Sequence, residues 1–383
     1  MKEQVSFQIT EEAAYKSRPL FILNNMKNLI VILLLLLSWN ASSQKVFPYI
    51  NNQEYLMSFG KGMSWQLDFL KPIHVQYSEE IVAYIDNKRD LFVYDGESKE
   101  KLSGMVNDYK IGINLLAWNA GPILHVWENG VKQNLTYFAG HYEVSDSLVV
   151  FEDTRDNAIR VYYNGEIYDL YSSIYRPVFP QAIGTNTVAF KGNGDVQYAF
   201  ISGRIIEIGV FPENLTFAAG ASLLVFNDEF NQSFAAVFRT RVVDVEPTMV
   251  QSYKAGYGIF AYQDRNDNLK AYVQGNIVTL SSYASFYEVF RDMIVWGENG
   301  TFYVYYEGLQ YEIANYIPSE YYIRDGIVAF RNLNGGISAF HNKTVDIVSN
   351  YINAGFEVNG NTIKVQVSKG NFLFFKNGHS VSM

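Results

Sequence analysis

Three short runs concentrate side chains able to hold a cation: Asp86-Asn87-Lys88-Arg89-Asp90, Asp153-Thr154-Arg155-Asp156-Asn157 and Asp264-Arg265-Asn266-Asp267-Asn268. Oxygen ligands at alternating positions are what calcium takes, so Asp86, Asp153, Asp264 and Asp267 are the candidate ligands. None of the runs carries the glycine and distal glutamate of a full calcium loop. Asp and Asn also favour turns, because their side chains bond nearby backbone and tolerate left-handed conformations, and turn chemistry is the preferred reading. Five histidines, His74, His125, His141, His341 and His379, have no paired spacing that would mark a metal site. Carboxylates such as Glu152, Asp169, Glu207, Asp244, Glu288 and Glu312 are plentiful enough to supply a pair for glycoside cleavage. No Gly-x-Ser-x-Gly elbow, His-Glu-x-x-His pair or phosphate loop accompanies them. The expectation is a protein without catalytic residues and without a cofactor.

A second group of residues could recognise rather than react. Tyrosine doublets occur at Tyr162-Tyr163, Tyr305-Tyr306 and Tyr321-Tyr322. Adjacent residues of a strand point to opposite faces, so one member of each pair is a candidate for an exposed interface. Most of the 29 Tyr and 27 Phe should instead pack sheet against sheet.

The elements that position these residues recur. A short strand ends in a polar or glycine turn, followed by an apolar strand such as Ile327-Val328-Ala329-Phe330, a polar hairpin, and a third strand ending in glycine, as in Phe302-Tyr303-Val304-Tyr305-Tyr306-Glu307-Gly308. A fourth strand closes the unit. The second strands begin at Ile81, Leu115, Leu148, Val188, Leu223, Ile259, Ile294, Ile327 and Ile363, at intervals of 34, 33, 40, 35, 36, 35, 33 and 36 residues. Glycine falls where a tight hairpin needs positive φ. Thr240 and Lys343 stand where glycine is expected, which predicts two remodelled hairpins.

A four-stranded sheet of this size cannot bury both its faces, so its copies must stack. Radial stacking around an axis gives an all-β propeller, and a linear solenoid is the alternative. The expected architecture is a single wide ring of about nine four-stranded blades, with eight to ten possible. It spans residues 73–383. Residues 44–72 have strand character but fit the repeat poorly, and are expected to supply a closing strand or a partial blade.

The rest of the chain bears on location. Met26-Lys27-Asn28, the apolar run Leu29 to Leu37, and small residues at Ala41 and Ser43 match a secretory leader over 26–43, cleaved after Ser43. Residues 1–25 read as an extension in front of it. The apolar run is short for a membrane span, so the mature chain is not expected to cross a membrane. The absence of cysteine excludes disulfides and thiolate chemistry. A net charge of -9 gives no reason to expect nucleic acid as a partner.

The unit resembles a blade of the exported bacterial β-propeller repeat proteins, on strands such as Ile327-Val328-Ala329-Phe330 leading into a polar hairpin. It lacks the Gly-His and Trp-Asp signature of WD40 repeats and the double glycine of kelch. That resemblance carries an architecture and no activity. The function expected is non-catalytic protein binding in the bacterial envelope, periplasmic or peripheral to the outer membrane. By analogy with accessory proteins of outer-membrane translocons, including the type IX system, it would cap a pore. A carbohydrate-binding or carbohydrate-cleaving propeller is the alternative.

Overall fold

The computed structural model describes residues 46–212, 215–238 and 241–383. The expected leader at 26–43 and the extension at 1–25 lie outside them. No helix among the described residues is long and apolar enough to cross a membrane.

The described chain is a single ring of ten antiparallel sheets met in sequence order. Nine have four strands: blade 2 (74–103), blade 3 (109–136), blade 4 (139–172), blade 5 (182–210), blade 6 (217–246), blade 7 (252–281), blade 8 (286–314), blade 9 (321–349) and blade 10 (355–382). We label their strands a to d in chain order. Strands b and c lie between two neighbouring blades and are apolar almost throughout, as in Leu148–Asp153 and Ile337–His341, where every residue is buried. Strand d forms the rim and buries chiefly its far end, as in Leu309–Ala314.

Residues 44–72 hold the tenth sheet, and the ring therefore begins well before residue 73. Blade 1 comprises Phe47–Ile50, Leu56–Gly60 and Met63–Asp68. Its strands are b, c and d. In blades 2 to 9 the pairing of c with d slips by one residue near the start of c, for example between Phe302 and Tyr303, and blade 1 shows the same slip between Leu56 and Met57. Such bulges raise the local twist. Among the described residues blade 1 has no strand a. The motif is missing its first quarter there, which is why the segment resisted the repeat.

Among the described residues no strand is shared between the first and last blades. Each blade meets the next through a separate apolar cluster, and the ring closes on Phe47, Tyr49 and Phe59 of blade 1 against Phe372 and Phe374 of blade 10. Phe59 stacks on Phe374 with centroids 4.1 Å apart. The third residue of the inner turn-to-b segment is Ala or Val in blades 2 to 9 (Ala83, Ala117, Val150, Ala189, Val225, Ala261, Val295, Ala329), because the next blade's strand a lies over it. In blade 10 the position is Lys364. With no strand a on blade 1 above it, the long side chain fills the space, its Nζ 3.3 Å from the Pro48 carbonyl and 3.0 Å from Glu357. Asn359 Nδ2 donates to the Val46 carbonyl at 2.9 Å. Two side chains thus donate to the inner edge of blade 1 where a strand would have done so. Pro48, which has no N–H, suits that edge.

Apart from blade 2, whose c–d loop is the longer 95–98, the described hairpins between c and d are tight two-residue turns with both central residues at positive φ, as in Asn129 (49°) and Gly130 (83°). Asn342 (46°) and Lys343 (66°) have the same form. The hairpin at Lys343 is therefore not remodelled: strand pairing holds the lysine in a left-handed conformation that favours glycine. Thr240 lies outside the described residues. Lys343→Gly is expected to raise the melting temperature by about 1 °C, measured by circular dichroism; a fall would mean that the turn strain is outweighed by the loss of the exposed pair with Glu307.

Candidate functional site

In a meander the a–b and c–d turns share one end of the sheet, and the b–c and d–a connections share the other. The two ends bond accordingly. At the first, Asn129 N donates to Asn114 O and Ser202 N to Asn186 O; at the second, Val106 N donates to Arg89 O and Asn353 N to Gly335 O. The ring therefore has two faces of different composition. The described a–b and c–d turns expose large apolar side chains only where strand d begins, at Met63, Val131 and Leu309, whereas the connections of the opposite face expose Met105, Tyr137, Ile174, Tyr175, Phe230, Leu333 and Ile352, among others.

On the a–b face one residue from each of blades 2 to 10 occupies the first central position of the inner turn. Glu79, Asp146, Thr185, Tyr257, Arg291 and Asp325 are six of these. Arg291 bonds Glu79 at 3.0 Å and Asp325, and lies 4.0 Å from Asp146. Its guanidinium sits over the Tyr257 ring, whose hydroxyl donates to Asp146. Burial alone would lower the proton affinity of Arg291, but the carboxylates of Glu79 and Asp325 outweigh it and raise it. Burial raises the pKa of Glu79, with Arg291 opposing. Blades 2, 4, 7, 8 and 9 are thereby tied together across the axis. The turns lie close: a Cβ on Gly220 would stand 2.1 Å from Gly256 O, and Ala221 N donates to that same oxygen at 2.9 Å. The brace gathers one guanidinium and three carboxylates from four turns, an arrangement suited to rigidity.

On the opposite face the longest connection between blades is 173–181, joining blades 4 and 5. It projects Ile174 and Tyr175, 92% and 81% exposed, with Val178 behind them. Arg176 anchors it through two bonds to Glu152, at 2.7 and 2.8 Å. That guanidinium holds the Glu152 carboxyl below the usual carboxylate range. Three depressions surround the loop. One of 610 Å³ runs down the channel past His141, Phe179 and Gln181 to Thr185 and Arg291. One of 330 Å³ lies over blade 5 between Val178, Phe179, Phe190 and Phe217. The third, of 550 Å³, is bounded by Tyr171, Phe190, Tyr198, Arg160 and Asp169. The loop and these depressions occupy one stretch of the ring, at blades 4 and 5. Its signal in the sequence is the 40-residue interval from Leu148 to Val188, the longest of the series.

The residues singled out from sequence fall elsewhere or inside. Asp86 Oδ1 accepts the amides of Lys88 and Asp90, both at 2.8 Å. Asp264 Oδ1 accepts those of Asn266 and Asn268, and Asp267 accepts a bond from Gln251. Asp153 caps its own turn through Arg155 N and bonds Thr136 and Arg160. These four carboxylates serve three separate hairpins, in blades 2, 4 and 7. Among the described residues no three His, Cys, Asp or Glu side chains converge as metal ligands. The five histidines are spread over blades 2, 3, 4, 9 and 10.

Tyr162 and Tyr305 are core residues, 3% and 5% exposed, and so are not interface residues. Tyr162 donates to Glu128 at 2.7 Å. Tyr163 and Tyr306 are half-buried against Phe200 and Phe340. Tyr321 donates to Glu288 at 2.9 Å. Tyr322 alone of the six is exposed, with its ring edge-on to Phe356. Alternation puts a side chain outward only where a sheet face is free, and strand c has a blade on each side.

A model for the 10-bladed beta propeller domain matches residues 40–381. No curated protein matches the chain. The computationally designed Ika8 protein is similar at 13% identity over 70% of this chain and 95% of its own, with a TM-score of 0.36. PorZ, an essential bacterial surface component of the type-IX secretion system of Porphyromonas gingivalis, is similar at 9% identity over 89% of this chain and 59% of its own, with a TM-score of 0.28. The CRINKLY WD40 ectodomain of the Arabidopsis thaliana receptor kinase ACR4 is similar at 10% identity over 72% and 94%, with a TM-score of 0.30.

Proposed function

The chain belongs to the family of ten-bladed β-propeller domains, and from that premise we propose that it is a non-catalytic, protein-binding scaffold of the bacterial cell envelope. The observation that carries this reading is the unequal distribution of exposed apolar side chains between the two faces of the ring. A soluble monomer seldom shows a large contiguous apolar patch unless something covers it. Here Ile174, Tyr175 and Val178 stand exposed together on the single loop that joins blades 4 and 5. Aromatic anchors on a rigid support are what a protein interface needs. The leader expected at 26–43 and the absence of cysteine support export, to the periplasm or the periphery of the outer membrane.

The narrower form of the reading is an accessory or pore-capping subunit of an outer-membrane secretion complex of the type IX kind. Its support is the shape: a wide disc whose axis is crossed by the Arg291 brace is suited to covering an opening. The exposed residues of the 173–181 loop test the reading without touching the core. Ile174→Asp with Tyr175→Asp is expected to cut recovery of a stoichiometric envelope partner at least tenfold, at an unchanged melting temperature. Recovery of the wild-type chain alone after gentle solubilisation would remove the reading.

A second reading, carbohydrate binding or cleavage, has one observation in its favour. Tyr171 and Tyr198 line a groove beside Arg160 and Asp169, rings and charges of the kind that hold a sugar. Release of reducing ends from a polysaccharide, abolished by Asp169→Asn, would establish it.

A further inference from the structure

We infer that the groove over blade 5 is the docking site for a partner segment in which a basic side chain sits among large apolar ones. This rests on the protein-binding reading above and adds the chemistry of what is bound.

The site is two adjacent depressions that share a wall. The 330 Å³ groove sets Val178, Phe179, Phe190 and Phe217 beside Gln181, Lys191 and Gln197, the lysine being paired with Asp195, and it shares Tyr171, Phe190 and Gly192 with the 550 Å³ cleft. Gly192 lets the Tyr198 ring lie against the backbone at their shared wall: a Cβ there would stand 2.7 Å from that ring. Phe190 and Tyr198 stack at 5.4 Å and form one wall. An extended segment entering from the apolar loop would thus bury apolar side chains first and reach the cleft next.

What it meets there is an excess of negative charge. Arg160 is held by three carboxylates, Nε to Asp169 at 2.6 Å, Nη1 to Asp153 at 2.6 Å and Nη2 to Asp156 at 2.7 Å. One guanidinium against three carboxylates leaves two charges uncompensated. The side chains of Asp156 and Asp169 are 48% and 76% exposed, so each keeps an oxygen accessible. Complementary charge selects partners and steers their approach, and aromatic walls favour a cation. A lysine or arginine flanked by apolar residues matches both depressions, and an acidic segment matches neither.

The test uses two fluorescein-labelled heptapeptides, one alternating leucine with arginine and one alternating leucine with glutamate, titrated into the exported chain at low salt by anisotropy. The arginine peptide is expected to bind at least tenfold more tightly. Asp156→Asn with Asp169→Asn should bring the two within about twofold of each other, while Val178→Ser weakens both. Both aspartates are on the surface, so the folded ring should survive the change, with the melting temperature as control. Equal binding of the two peptides, or an arginine preference unchanged in the double variant, overturns the inference. So does displacement of the arginine peptide by cellohexaose, which would give the groove to carbohydrate. None of these outcomes depends on the loss of the envelope partner caused by Ile174→Asp with Tyr175→Asp, so the two readings fail separately.

Discussion

Lys364→Ala is expected to destabilise the ring by about 3 kcal/mol, because removing the buried side chain leaves the Pro48 carbonyl without its donor and opens a void where the chain has no strand to supply. Lys364 is 8% exposed. Its ammonium bonds Pro48 O and Glu357 and lies 4.9 Å from the centre of the Phe47 ring. Burial lowers its proton affinity, with Glu357 opposing. Lys364→Met keeps most of the volume without the charge and should recover about half of the loss. Urea unfolding of the three proteins measures it. A Lys364→Ala variant within 0.5 kcal/mol of wild type, about the scatter of surface changes, would mean that the seam is held by the aromatic cluster alone.

The same residue sets an acid dependence. Burial pushes the Glu357 carboxyl up, but Lys364 and the Tyr77 hydroxyl outweigh it and leave it below its ordinary value of 4.5. A carboxyl with a depressed folded value contributes stability that is present above its unfolded value and lost as the pH falls through the folded one. The gap between wild type and Lys364→Met should therefore be full at pH 6 and narrow below about pH 4.

Arg291→Met is expected to cost a similar amount, about 3 kcal/mol, by a different route. It removes the one cation among Glu79, Asp146 and Asp325, and three carboxylates from three blades then face one another with the Tyr257 hydroxyl. Glu79→Gln in the Arg291→Met background should restore about 1 kcal/mol, because a neutral amide tolerates the buried position that an unpaired carboxylate does not. A double-mutant cycle in urea measures the coupling. Additive effects would show that the brace is a set of independent surface pairs.

Much of this ring was legible before its structure. The second strands read from sequence at Ile81, Leu115, Leu148, Val188, Leu223, Ile259, Ile294, Ile327 and Ile363 begin in the structure at Val82, Leu115, Leu148, Thr187, Leu223, Ile259, Met293, Ile327 and Thr362. Agreement to within one residue reflects how strongly burial between two blades constrains strand b. Blade 1 was less legible because the repeat is recognised by its whole length and three strands carry only part of it. Pro48 also breaks the Val-Ala-Phe form that marked the other copies. The site was less legible still. Glu79, Asp146, Arg291 and Asp325 are far apart in the chain, and only their common place in successive inner turns brings them together. Tyr162 and Tyr305 misled because alternation identifies two faces without saying whether either is free.

Ten sheets surround the axis, but only nine strands line it among the described residues, and the gap is bridged by side chains. Asn359 of blade 10 donates to the Ser78 carbonyl of blade 2 at 2.7 Å, and Tyr77 of blade 2 donates to Glu357. Tension applied between the two ends of the folded ring would consequently meet no interlocked backbone at that point. The wheel should part there like a clasp, in one step and at low force, before any blade unravels.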